Sequence, residues 1–114
     1  MSMTVQQARE WALALENASE ALHFDRTAFR TPRRIFATLG ADGCDMNFMF
    51  DPMLQAFYCE QAPDAFSPVP GGWGRMGATR CDLARVDPAT FRGALAAAHA
   101  RASQPSPGKP RRRT

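Results

Sequence analysis

The stretch Arg34-Ile35-Phe36-Ala37-Thr38-Leu39-Gly40-Ala41-Asp42-Gly43-Cys44-Asp45-Met46-Asn47-Phe48-Met49-Phe50 decides the fold class. Residues 34–39 read as a strand, and Gly40-Ala41-Asp42-Gly43 carries the Asp-Gly pair that supplies hairpin-turn backbone. The returning limb alternates, with Met46, Phe48 and Phe50 on one face and Asp45, Asn47 and Met49 on the other. A period of two with one apolar face predicts an antiparallel sheet buried on one side.

Working outward, helices flank the hairpin. Thr4-Val5-Gln6-Gln7 has the form of a capping box, in which a hydroxyl and a side-chain amide satisfy each other's free backbone amides. The helix it opens is expected over residues 5–17, with Val5, Ala8, Ala12 and Leu15 on one face and Trp11 at its edge. Leu22 and Phe24 alternate with His23 as a short strand, Asp25-Arg26-Thr27 reads as a turn, and Ala28-Phe29-Arg30 follows. After the hairpin, Asp51-Pro52 starts a helix with an aspartate cap and a proline in the first turn. Met53, Leu54, Phe57 and Tyr58 form its expected apolar side, and Pro63 stops it. A strand is expected over residues 78–84, with Thr79, Cys81 and Leu83 sharing a face. Asp87-Pro88 repeats the cap-and-proline device before a helix with a narrow stripe of Phe91, Leu95, Ala98 and Ala102. The expected architecture is α+β: one domain over residues 1–103, an antiparallel β-sheet packed by helices. Residues 104–114 are rich in proline and arginine without apolar anchors, and are expected to be a disordered basic tail.

Between the second helix and the following strand lies Ala65-Phe66-Ser67-Pro68-Val69-Pro70-Gly71-Gly72-Trp73-Gly74-Arg75-Met76-Gly77. Its prolines and glycines argue against a regular helix or a central strand. Trp73 is expected to plug the core, with the glycines letting other backbone pass close by. The alternative is a half-exposed platform for a flat or anionic ligand, assisted by Arg75.

Three blocks, taken in order, carry a family resemblance. They are Phe29-Arg30 with Arg34-Ile35-Phe36-Ala37-Thr38-Leu39, then Phe66-Ser67-Pro68-Val69-Pro70, then Gly72-Trp73-Gly74-Arg75-Met76-Gly77 leading into Asp82-Leu83. Together they resemble the MmcQ/YjbR family of small bacterial proteins, over residues 5–102. The resemblance implies a compact fold similar to bacterial frataxin (CyaY-like), often called a double wing. It also implies DNA binding through the sheet and its hairpins, and carries no catalytic residues. The sequence departs from the family pattern at Asn47 and Met49, where relatives often have lysines, and at Ala78, where they often have a ring.

Charge bears on function only after it is divided along the chain. The net charge is +3, from 14 Lys and Arg against 11 Asp and Glu. Lys109, Arg111, Arg112 and Arg113 fall in the tail, which has no acid, so residues 1–103 carry 10 cations against 11 anions. Global charge is therefore no mark of a nucleic-acid binder, and any such surface must be local. The local candidate is the arginine group around the hairpin. It comprises Arg26, Arg30, Arg33 and Arg34, four within nine residues, with Arg33 and Arg34 at a strand entrance; Arg75 and Arg80 would extend the patch if their strand neighbours the hairpin. Guanidinium groups donate bidentately to phosphate, and a β-hairpin fits a major groove. The bland reading is a solvated strand edge whose charges discourage aggregation.

The expected function is accordingly DNA binding, with double-stranded DNA as partner. The alternative is a small-ligand or protein-interaction module centred on Trp73, Arg75 and His23. Neither a nucleophile elbow, a phosphate loop nor a dinucleotide fingerprint is present, so no catalysis is expected. The odd, scattered Cys44, Cys59 and Cys81 read as free thiols of a reducing cytoplasm. No metal, no cofactor, no membrane association and a monomeric state complete the expectation.

Overall fold

The computed structural model describes residues 3–23 and 25–104. Phe24, the side chain of His23 and the expected tail beyond Gln104 lie outside the described residues. The elements run α1 (Val5–Leu13), β1 (Ser19–His23), β2 (Arg26–Arg30), β3 (Ile35–Leu39), β4 (Asp45–Met49), α2 (Pro52–Gln61), β5 (Phe66–Pro68), α3 (Gly72–Arg75), β6 (Ala78–Asp82) and α4 (Pro88–Ser103). The strands form one antiparallel sheet in the order β1-β2-β3-β4-β6-β5. The architecture is α+β, as the alternation of residues 45–50 predicts.

Local chemistry explains most element ends. The Thr4 hydroxyl accepts from the Gln7 amide, and the Gln7 side chain accepts from the Thr4 amide, which completes the capping box. α1 stops at Leu13, short of the expected residue 17, and Asn17 takes a left-handed conformation (φ 61°) as the chain turns into β1. Asp51 and Asp87 cap α2 and α4 by accepting from the amides of Leu54 and Thr90. The β3–β4 turn has Gly43 at φ 73°, and the Asp42 carboxylate accepts from the Cys44 amide. That hydrogen bond holds the Asp42 carboxyl below its ordinary range. The expected turn over residues 25–27 is tighter than read, since Arg26 and Thr27 already belong to β2.

The core lies on one face of the sheet. Phe48 sits at its centre, its ring 5.4 Å from that of Phe50, 5.7 Å from Phe91 and 6.4 Å from Phe66. α4 covers this face through Phe91, Leu95, Ala98 and Ala102, and α1 adds Ala8 and Ala12. Trp11 of α1 packs on Phe91, and Arg92 lies over the Trp11 ring at 4.4 Å. α2 contributes less than its composition suggests. Tyr58 stacks on Phe50, but Met53 and Phe57 are exposed, because α2 reaches the sheet only near its β5–β6 edge.

A bulge sets which side chains leave the core. Phe29 pairs with Ala37 while Arg30 pairs with Ile35, which makes Phe36 the extra residue of β3. Phe36 and Ala37 can therefore both be buried, and Ile35 and Thr38 come to share the opposite face.

A candidate binding face on the bare side of the sheet

Among the described residues, the face opposite the core has no long helix on it. α4 meets the sheet through Phe36 and Phe48 and α2 through Phe66, whereas Ala28, Thr38, Asn47, Arg80 and Ser67 form a row across the other side. The single turn α3 borders this side through Trp73. It forms despite the surrounding glycines and prolines because Pro70 lies before it and one turn needs few bonds, Arg75 N–H to Gly71 and Met76 N–H to Gly72. Gln55 of α2 fastens it, donating to the carbonyls of Gly74 (2.8 Å) and Ala78 (3.0 Å).

This arrangement reverses the expected place of Trp73. Gly74, not Trp73, turns inward, where it packs against the Val69 backbone with no room for a β-carbon. Trp73 is left 68% exposed, and is no core plug. Beside it the bare face dips into a hollow of about 480 Å3. Ile35, Met49, Val69, Trp73 and Ala78 give it apolar walls, and Arg26, Arg30, Thr38 and Asn47 supply its polar groups. A hollow of this size with few convergent polar groups is the ordinary form of a binding site.

The arginines divide into two populations. Asp45 holds both Arg26 (Nη2 to Oδ1, 3.0 Å) and Arg80 (Nε to Oδ2, 3.0 Å) from the start of β4. Arg26 Nε also donates to Thr38 Oγ1 at 2.8 Å. The strand of Arg80 does neighbour the hairpin, but Asp45 compensates both charges, so Arg26 and Arg80 are withdrawn from the expected patch. Arg9, Arg85 and Arg101 pair with Glu20, Asp82 and Asp51. Among the described residues, Arg30, Arg33, Arg34, Arg75 and Arg92 have no carboxylate partner, and Arg92 is engaged on Trp11.

The remaining four collect at one end of the sheet. Arg30 ends β2, Arg33 and Arg34 lie in the β2–β3 connection, and Arg75 precedes the start of β6. Strand pairing brings these ends together with Met49 at the end of β4. Asp42, Asp45 and Asp82 lie at the other end. Backbone carbonyls hold two of the four without neutralising them: Arg30 Nε donates to Thr31 and Arg34 Nη2 to Gln104.

The YjbR family profile matches residues 13–101. The chain belongs to the YjbR family. Its fold is similar to the crystal structure of Deinococcus radiodurans protein DR2400, whose domain is DUF419, with a TM-score of 0.70. The identity is 16%, over 85% of this chain and 76% of that one, so the likeness speaks for the fold. None of the curated proteins matches.

In this YjbR domain, then, Arg30 and Trp73 meet at one hollow. Arg33 and Arg34 do not line it: they stand at the same end of the sheet but toward the end of α4, where Arg34 reaches the Gln104 carbonyl and Arg33 borders a separate recess of about 150 Å3 with Asn17, Thr31 and Ser103. Arg75 is exposed on α3 and does not line the hollow. His23 ends β1 opposite Arg26. All three departures from the resembled pattern, Asn47, Met49 and Ala78, line the hollow. Sequence reasoning missed Asp45 as the residue that compensates two arginines. It also missed the apolar wall, although Met49 on the polar side of an alternating strand was a visible sign. Among the described residues no group of three His, Cys, Asp or Glu side chains is placed to hold a metal ion, and no helix is long and apolar enough to cross a membrane.

Proposed function

We propose that this YjbR protein is a DNA-binding module that works by binding rather than catalysis, contacting phosphates with Arg30, Arg33, Arg34 and Arg75. One observation carries the reading: of five described arginines without a carboxylate, four stand at one end of the sheet. Uncompensated guanidinium groups are the ones that release counterions and hold phosphate when a strand arrives. The body as a whole is slightly anionic, so this local separation of charge matters more than the total.

The test is fluorescence anisotropy with duplex DNA across a salt series. It compares the full chain, the Arg30→Ala/Arg33→Ala/Arg34→Ala variant, and a variant with Lys109, Arg111, Arg112 and Arg113 changed to Gln. Each phosphate contact contributes about 0.9 to the slope of log K against log salt. The triple variant is expected to reduce the slope by about 2–3. Unchanged binding in that variant, with complete loss in the tail variant, would assign the whole effect to the tail and reject the site. A second reading, a small ligand at Trp73, draws its support from the exposed ring above an apolar hollow.

A further inference from the structure

We infer that the hollow beside Trp73 receives a single unstacked nucleobase of the bound strand. The inference rests on the DNA reading above and specifies what the bare sheet face adds to it.

Trp73 presents a large ring to solvent, above apolar walls formed by Ile35, Met49 and Ala78. An aromatic face in such a place fits a flat partner, and stacking on it is indifferent to sequence because every base has a π-face. A paired base cannot supply that face, since a duplex shows only base edges in its grooves. The occupant must therefore come from a single strand or be turned out of a duplex.

The floor has the polar groups that a base edge needs. Asn47 and Thr38 are cross-strand partners and both line the hollow. The Asn47 side chain has no hydrogen-bond partner among the described residues, which leaves one carbonyl acceptor and two N–H donors for an occupant. Thr38 Oγ1 already accepts from Arg26, so its own hydroxyl hydrogen remains to be given. At the rim, Arg30 uses Nε on the Thr31 carbonyl and keeps its terminal N–H groups for the phosphate of the same nucleotide. An apolar slot for a base face, an amide for its edge and an uncompensated guanidinium for the phosphate thus lie together at one hollow.

The experiment uses the full chain carrying Trp11→Phe, so that fluorescence reports Trp73 alone. Four probes are compared: a single-stranded 12-mer, its matched duplex, the duplex with one central mismatch, and a mononucleotide. The single strand and the mismatched duplex are expected to bind more tightly than the matched duplex and to quench Trp73. Trp73→Ala is expected to weaken single-strand binding roughly tenfold while leaving the matched duplex unchanged, and Trp73→Phe to restore part of the loss. If the matched duplex binds with a salt slope but Trp73→Ala and quenching change nothing, the base site is wrong and the DNA reading stands. If no strand binds at low salt, both are wrong. Saturable quenching by the mononucleotide without binding of any strand would assign the hollow to a free nucleotide and overturn the inference.

Discussion

Gly74 packs so closely on Val69 that a β-carbon at residue 74 would collide with the Val69 carbonyl oxygen. The contact joins the end of β5 to the single turn α3, and it aims Trp73 outward. Because the obstacle is backbone rather than the far end of a side chain, it cannot yield by a rotamer change. Gly74→Ala is expected to destabilise the fold by about 2–3 kcal/mol, the upper part of the cost of overpacking. Urea denaturation measures this. Gly71→Ala, where the added carbon meets nothing but the backbone has φ 83°, should cost less, about 1–2 kcal/mol.

The carboxylate shared by Arg26 and Arg80 gives a second prediction. Asp45 is partly buried, and its two oxygens serve the two guanidinium groups separately. Asp45→Asn removes the compensating charge while keeping the shape, and leaves Arg26, a quarter exposed, without an anion. A loss of about 1–2 kcal/mol is expected, below that of a fully buried pair because water reaches Arg80. DNA affinity at low salt should move the other way, because the bare face gains two uncompensated cations. Arg80→Ala in the native background should change DNA affinity less than Arg30→Ala. Equal effects of the two substitutions would contradict the division of the arginines.

The contrast between Trp73 and the hairpin tells which features a single chain reveals. Asp42-Gly43 and the alternation of Met46, Phe48 and Phe50 are local, so the hairpin and its buried face could be read directly. The same holds for the caps at Thr4, Asp51 and Asp87, each satisfied within three residues. Trp73 depends instead on Gln55, which binds α3 from 19 residues away, and on Gly74 entering the interior in its place. Asp45 could be placed on the polar face, but its partners lie 19 and 35 residues distant. Size and chemistry alone favour burying a tryptophan, and only the packing of its neighbours decides otherwise.

The thiols separate by environment. Burial, helped by Asp82, pushes the Cys81 thiol up to about 12 from 9.0. The folded value is raised, so below pH 9 the thiol is neutral in both states and has no effect on stability. Above it, the unfolded chain ionises first, and stability should fall by roughly 1.4 kcal/mol per pH unit as far as about pH 12. Cys81→Ala should flatten that decline. In thiol titration at neutral pH, exposed Cys44 should react first, slowed because Asp42 raises its pKa. Cys59, raised by burial, should follow, and Cys81 should react only on unfolding.

Thr31 couples the fold to the basic end. Its buried hydroxyl accepts from the amides of Arg33 and Arg34 and donates to the Ala102 carbonyl at 3.0 Å, tying the β2–β3 connection to the last turn of α4. Thr31→Val keeps the volume but leaves two amides and a carbonyl without this partner. It should cost about 1–3 kcal/mol. The same substitution should free the backbone that carries Arg33 and Arg34, and so weaken DNA binding even under conditions where the variant is fully folded. Thr31→Ser restores the hydroxyl and should recover both properties. Anisotropy at low salt with Thr31→Val shown to be folded by circular dichroism separates positioning from stability: undiminished affinity would mean that the two arginines do not depend on this connection being held.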